Sequence, residues 1–182
     1  MMNISAGNDN LRIVTDRLIL LPLNYRQLRK FLNNNLSLEK ELELNPRHRV
    51  LSEKLEEILE EEIIVKVRQN PEQYYFHTIW LLIRKNDLTI VGDINCKDKP
   101  SVSGEIEIGY ETIDAYQNLG YMTEAIAGFV NWLSTYYQVN TILAMTDDAN
   151  FASVSVLKKN NFKPFLLAGN IIRWQKNIRN KN

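Results

Sequence analysis

Residues 105–125, EIEIGYETIDAYQNLGYMTEA, carry the pattern that decides the fold. The alternation of polar and apolar side chains from Glu105 to Tyr110 is typical of a β-strand with one half-solvated face. A loop follows, and Gly120 precedes an apolar run that begins a helix. A strand, a glycine loop and a helix start in this order direct several backbone N–H groups and the positive helix end at one point. The segment therefore predicts a binding site for a pyrophosphate group.

A second segment, residues 150–162, reads NFASVSVLKKNNF. Asn150 is a good N-cap residue, and the apolar spacing after it predicts a helix from Ala152 to Asn160. Asn161 follows the helix, and after glycine asparagine is the residue that best tolerates a left-handed backbone there. Leu157 and Phe162 are expected in the core, which leaves the polar residues near Asn150 for ligand contacts.

Taken together, these segments resemble the GNAT family of N-acetyltransferases, and within it the RimJ/RimL-like branch. The family's Gln/Arg-x-x-Gly-x-Gly/Ala loop is matched by Gln117 and Gly120, with Met122 at the position usually held by Gly or Ala. Its Asn-x-x-Ser-x-x-x-Leu-x-Lys-x-Gly-Phe helix is matched from Asn150, with Asn161 replacing the glycine. Residues 15–20 resemble its opening strand, so the resemblance covers about residues 11–175.

This resemblance implies an α/β (α+β) GNAT acyl-CoA N-acyltransferase fold, with a mixed, mostly antiparallel central sheet of six to seven strands flanked by helices. It also implies acetyl-CoA as cosubstrate and no metal. The residues that it assigns to acetyl-CoA are Ile108, Gly109, Tyr110, Gln117, Asn118, Leu119, Gly120, Tyr121, Met122, Thr123, Asn150, Ser153 and Lys158. Among them, the backbone N–H near Tyr110 is expected to polarise the thioester carbonyl.

Catalysis in this family is direct attack of an amine on the thioester. Because a free alkylamine has a pKa near 10, the enzyme must help it lose a proton at neutral pH. Glu107 is the expected base, directly or through water, and Glu105 is the second choice; both could equally be solvated strand residues. Ser153 matches a serine proposed as the acid in the RimL-like branch, although capping or CoA binding would also explain it. Leu157 occupies the position where many relatives have the acidic tyrosine.

The rest of the chain predicts one domain over residues 11–177, after a disordered start at 1–10 and before a basic tail at 178–182. Strand and helix patterns alternate in the order β, helices, βββ, α, β, α, ββ. The predicted strands cover residues 17–23, 76–84, 89–96, 104–112, 141–146, 162–167 and 171–175, and the predicted helices include 25–32, 36–44, a helix capped by Ser52, and 123–136.

Composition narrows the class further. The chain has 182 residues, 45% hydrophobic and 24% charged, with a formal net charge of zero. This balance is typical of a globular protein and gives no general attraction for nucleic acid or an anionic membrane. Cys96 is the single cysteine, which excludes an internal disulfide. We therefore expect a cytoplasmic protein, either monomeric or homodimeric.

The acceptor is expected to be an amine on a small molecule or a peptide: a protein N-terminus, a polyamine or an aminoglycoside. The glutamate-rich segment from Glu39 to Glu62 suggests an acidic acceptor pocket. One alternative is a non-catalytic sensor or scaffold that binds acyl-CoA. Two others have less support: the nucleotide-binding glycine motifs are missing from the sequence, and His48 and His77 lack the ligand spacing of a metal site.

Overall fold

The computed structural model describes residues 11–47, 51 and 53–179. The expected disordered start at 1–10, the cap Ser52, His48 and the last three residues of the basic tail lie outside these ranges. None of the helices within them is both long and apolar enough to span a bilayer.

Eight strands form one sheet in the order β1-β2-β3-β4-β5-β6-β8-β7. The strands are β1 (Ile13–Val14), β2 (Leu18–Pro22), β3 (Ile79–Arg84), β4 (Thr89–Cys96), β5 (Glu105–Thr112), β6 (Thr141–Asp147), β7 (Lys163–Ala168) and β8 (Ile171–Asn177). All neighbouring pairs are antiparallel except β5 and β6, which run parallel. The predicted mixed, mostly antiparallel sheet is confirmed, with one strand more than expected because β1 is a two-residue pairing onto β2.

The helices are α1 (Tyr25–Asn33), α2 (Ser37–Glu41), α3 (Glu53–Ile58), α4 (Ile64–Gln69), α5 (Tyr121–Leu133) and α6 (Phe151–Lys159). A π-helical turn, Leu59–Ile63, joins α3 to α4. The strand predicted from residue 76 begins at Ile79 instead, because Pro71–Phe76 forms a 3₁₀ helix with proline in its first turn. The three-strand meander and the closing pair of strands agree with the sequence prediction.

Two hydrophobic cores lie on opposite faces of the sheet. Successive side chains of β3 point to opposite faces, so Trp80 joins α5 on one side and Leu81 joins α1 and α4 on the other. Phe129 and Trp132 of α5 pack against Trp80 with ring centroids 5.3 and 4.6 Å apart. Each fully buried side chain of this size contributes about 1.5–3 kcal/mol to stability. The sheet is thereby fixed between two helical layers, with β5 at its centre.

Candidate acetyl-CoA site

The two neighbours of β5 pair with different parts of it. β4 pairs with β5 along Ile108–Thr112, whereas β6 pairs with it only along Glu105–Glu107. Beyond Glu107, β5 and β6 therefore separate, and a gap opens in the middle of the sheet.

Backbone groups of β5 point into this gap. Lys97 donates to the Glu107 carbonyl and Ile113 donates to the Val91 carbonyl, both at about the usual hydrogen-bond length (2.9 and 3.0 Å). Because hydrogen-bonded and non-hydrogen-bonded pairs alternate in an antiparallel ladder, the odd-numbered residues of β5 face β4. The N–H groups of Tyr110 and Thr112 consequently face β6, on the stretch where β6 has diverged. Such donors suit a carbonyl inserted between the strands.

The loop before α5 ends in a helix N-terminus that has no side-chain cap. Gly120 is the N-cap residue with φ of 78°, and Asn118 also has a left-handed backbone, with φ of 60°. The N–H groups of the first helical turn have no intrahelical partners, and the helix dipole adds positive potential. This arrangement is suited to binding a phosphate group, as the sequence predicts.

A cavity of about 430 Å³, the loop cavity, lies between this loop, the end of β5 and α6. The predicted cofactor residues that line it are Tyr110, Gln117, Asn118, Gly120, Tyr121, Met122, Thr123, Asn150 and Ser153. Four others lie outside the lining. Ile108 is buried in the core, Gly109 lines the neighbouring cavity, and Leu119 is half exposed. Lys158 points elsewhere on α6, and Lys159 lines the cavity instead.

The start of α6 is fixed by Asn150. Its side-chain oxygen accepts a hydrogen bond from the Ser153 N–H at 3.0 Å, as expected of an N-cap residue. The Tyr110 hydroxyl donates to the Ser153 carbonyl at 3.3 Å, which connects β5 to α6 across the gap. Burial raises the pKa of Tyr110 to about 12, so its phenol is neutral at physiological pH. Leu157 is fully buried, as predicted.

The two predicted glutamates lie on the face of β5 that is opposite the apolar side chains. Glu105 is exposed and Glu107 is half-buried, and both precede the point where β5 and β6 separate. Neither is among the residues that line the loop cavity. Glu111, two positions further along the same face as Gly109, does line it. Sequence reasoning missed Glu111, although the alternation that marked Glu105 and Glu107 extends to it.

Arg17 is a second residue that the sequence analysis did not assign to the site. Its Nε bonds to the Glu124 carboxylate at 2.6 Å, its Nη1 donates to the Leu119 carbonyl at 3.0 Å, and its guanidinium stacks 4.6 Å from the Tyr121 ring centre. Burial alone would raise the pKa of Glu124, but hydrogen bonds from Thr15 and Arg17 together lower it. Arg17 thus ties the loop and the start of α5 to the beginning of the chain.

The described residues contain no group of three or more His, Cys, Asp or Glu side chains placed to hold a metal ion. The glutamates between Glu39 and Glu62 contribute little to the cavities of this part of the chain. Glu41 pairs with Arg26 and Lys30, and Glu60 lies 3.6 Å from Arg29. Glu62 lines the cavity that neighbours the loop cavity.

A sheet that opens beside an uncapped helix N-terminus, with both helical layers in place, defines the GNAT class of acyltransferase folds. The chain belongs to the GNAT acetyltransferase family, because the family model described as "Acetyltransferase (GNAT) domain" matches residues 17–163.

Similar proteins agree with this membership. An uncharacterized N-acetyltransferase of Bacillus subtilis, YjdG, is 31% identical over 83 residues, which cover 46% of this chain and 49% of that protein. The match thus spans about half the length of this curated relative. The ribosomal-protein-S5-alanine acetyltransferase of Vibrio fischeri has a similar structure, with a TM-score of 0.66 and 15% identity over 92% of this chain and 97% of that one. The ribosomal L7/L12 α-N-protein acetyltransferase RimL, in complex with coenzyme A, has a TM-score of 0.64 and 15% identity over 92% of this chain and 98% of that one. At these identities, the two structures show a shared fold.

Proposed function

We propose that this protein is an N-acetyltransferase that transfers the acetyl group of acetyl-CoA to a primary amine. The observation that carries the proposal is the gap between β5 and β6, which opens next to the uncapped N-terminus of α5. A thioester carbonyl in the gap would meet the backbone donors of β5, while a pyrophosphate would meet those of the loop at Gly120. One elongated molecule with both groups, acetyl-CoA, satisfies both sets of donors.

The reaction then needs a positioned amine and a base. Holding the amine against the thioester supplies much of the rate enhancement, since the two reactants no longer have to meet in solution. The family resemblance assigns the base to Glu107, with Glu105 as second choice, and gives Ser153 a role with the leaving thiolate. The names of the S5-alanine and L7/L12 acetyltransferases support a peptide or protein amine as the acceptor. We further propose a cytoplasmic location, where acetyl-CoA and such amines occur together.

The first test is isothermal titration of acetyl-CoA into the wild-type protein and a Gly120→Glu variant. A glutamate there brings a negative charge to the phosphate-binding loop and must adopt a left-handed backbone. We expect micromolar binding by the wild type and at least about 100-fold weaker binding by the variant, which corresponds to roughly 2.7 kcal/mol.

Gly169→Glu is the matched control, because Gly169 also has a positive φ and no atom lies within 4 Å of a Cβ built there. It should bind like the wild type. A folded wild-type protein that does not bind acetyl-CoA would contradict the proposal. Release of CoA in the presence of an alanine-initiated peptide, spermidine or kanamycin would then separate an enzyme from a protein that only binds acyl-CoA.

A further inference from the structure

A second cavity adjoins the loop cavity where β5 and β6 separate. This polar cavity, of about 350 Å³, lies between β4, β5 and the α3–α4 helices, and Gly109, Tyr110 and Glu111 form one of its walls. Tyr110 and Glu111 line both cavities. A molecule in the polar cavity would therefore lie against the place where the thioester is expected.

The polar cavity contains buried polar atoms that have no protein partner. Both ring nitrogens of His77 and the side-chain oxygen of Asn95 are buried without a hydrogen bond, and His77 is 6% exposed. His77 Nδ1 lies 3.3 Å from an Asp98 oxygen, but outside hydrogen-bonding geometry. Since buried polar groups are normally satisfied, unpartnered groups at one cavity indicate a polar ligand. Burial also lowers the pKa of His77, so the ring is neutral and offers one donor and one acceptor.

Two carboxyl groups lie opposite each other on the floor of this cavity. Asp93 of β4 and Glu111 of β5 are register partners in a hydrogen-bonded pair, which places their Cα atoms about 5.5 Å apart with both side chains on one face. Burial is the main cause that raises the pKa of Asp93 to about 7; the negative charge of Glu111 adds to the rise, and Lys97 opposes it. A proton can therefore enter and leave Asp93 near neutral pH.

We propose that the polar cavity binds the acceptor as a primary ammonium held between Asp93 and Glu111, and that Asp93 takes the proton which the ammonium must lose. This inference rests on the proposed acetyltransferase function. The ammonium gives one proton to the Asp93 carboxylate, and the neutral nitrogen attacks the thioester carbon. The C–S bond then breaks, the second nitrogen proton goes to the departing thiolate, and Asp93 returns its proton to solvent. Glu107 is the competing assignment, which the family resemblance favours.

The unpartnered atoms of His77 and Asn95 narrow the acceptor class. Asn95 Oδ1 is an acceptor only, and the neutral imidazole adds one acceptor and one donor. Together with the two carboxyl groups, the wall offers more acceptors than donors. The structure thus favours an amine that carries a second hydrogen-bond donor, such as a hydroxyl or N–H group, a few bonds from the reacting nitrogen.

Other charged groups also face Asp93 across the polar cavity and an adjoining cavity. From the helical layer and its preceding loop these are Arg47, Glu62 and Lys66. From the strands and the turn after β5 they are His77, Lys97, Glu111 and Asp114. Glu111 and Lys97 are the neighbours that act on Asp93 with opposite sign. Removing each in turn should therefore move the pKa of Asp93 in opposite directions.

The test combines carboxyl titration by NMR with rates of CoA release. In the free protein, the Asp93 carboxyl signal, assigned with Asp93→Asn, should titrate near neutral pH. It should titrate at lower pH in Glu111→Gln and at higher pH in Lys97→Met. With the fastest acceptor among the alanine-initiated peptide, spermidine and kanamycin, kcat/KM should rise with pH through the same range and shift in the same directions. Asp93→Asn should lose that rise and about 100-fold or more in kcat/KM at pH 8.

Controls separate this inference from the proposed function. Asp93→Asn should keep the wild-type affinity for acetyl-CoA, and the exposed Glu57→Gln should leave the rates unchanged. An Asp93 carboxyl that titrates at the ordinary value near 4 would overturn the inference whether or not any of the three amines is acetylated. So would a larger loss in Glu107→Gln than in Asp93→Asn. Failure of the wild type to bind acetyl-CoA would contradict the proposed function instead.

Discussion

Each side of the gap between β5 and β6 holds a partly buried carboxyl group, and the two groups are treated in opposite ways. On the cofactor side, Glu124 accepts hydrogen bonds from Thr15 and Arg17, and its pKa is lowered. On the acceptor side, Asp93 is desolvated and faces Glu111, and its pKa is raised. The cofactor side therefore stabilises its charge within the folded protein. The acceptor side leaves its charge to be stabilised by something that binds.

The largest effect we expect follows from this opposition. Asp93 binds its proton more tightly in the folded than in the unfolded protein, so stability is lost as pH rises from about 4 through 7. Asp93→Asn should therefore raise the free energy of unfolding at pH 8, by on the order of 2 to 3 kcal/mol. Glu124 has a lowered pKa, so its contribution is present above pH 4.5 and is lost as pH falls. Glu124→Gln should lower the free energy of unfolding at pH 8.

Urea denaturation at pH 4 and pH 8 measures both changes. At pH 4 the Asp93→Asn difference should be close to zero, because Asp93 is then protonated in the folded protein. If Asp93→Asn destabilised the protein equally at both pH values, the carboxyl would have a structural role, and the contrast between the two sides would fail. A variant that is more stable but less active is what a binding residue held at a cost in stability should give.

The same contrast explains what could be predicted from the sequence. The loop at Gly120 and the cap at Asn150 act through backbone geometry within short segments, so their residue types and spacing were visible in the sequence. The order of strands and helices was visible for the same reason. By comparison, β1 is too short to leave a pattern, and the 3₁₀ turn before β3 has the aromatic composition of a strand.

The acceptor side could not be predicted in this way. His77, Asp93 and Glu111 lie on three parts of the chain that meet only when β3, β4 and β5 pair in register. Asp93 gives no sign in the sequence that it will be desolvated, because its neighbour Leu81 and the helical layer are brought to it by the fold. Charge density instead drew attention to the glutamates between Glu39 and Glu62, several of which form surface ion pairs.

Two glycines give a second comparison of the sides. A Cβ at Gly92 would lie 2.3 Å from the backbone oxygen of Glu111, and neither strand can move far within the sheet. Gly92→Ala should therefore cost about 2 kcal/mol or more and displace Glu111. At Gly120 the nearest atom is an Arg17 nitrogen at 3.4 Å, so Gly120→Ala meets only the strain of a positive φ, about 1 kcal/mol.

Urea denaturation gives the stabilities, and two binding measurements divide the effects. Gly92→Ala should reduce kcat/KM for the acceptor more than it weakens acetyl-CoA binding, and Gly120→Ala should do the reverse. Equal losses on both sides from either variant would mean that the gap moves as one unit and that the division between the sides is wrong.

The smallest effect concerns Asn161, at the end of α6. Its φ is 61°, and the turn closes through hydrogen bonds from Asn161 N–H to the Lys158 carbonyl and from Phe162 N–H to the Leu157 carbonyl, both at 3.0 Å. These bonds use the backbone alone, so a side chain matters only through the conformations that it permits. Asn161→Gly should therefore change the free energy of unfolding by only about 0.5 kcal/mol or less, whereas Asn161→Ala should cost about 1 kcal/mol, because alanine is strained in the left-handed region. Neither should alter acetyl-CoA affinity by more than about twofold, since the cap at Asn150 still fixes the start of α6. A large loss of affinity in Asn161→Gly would show that this side chain takes part in cofactor binding, and that the cofactor side does not act through its backbone alone.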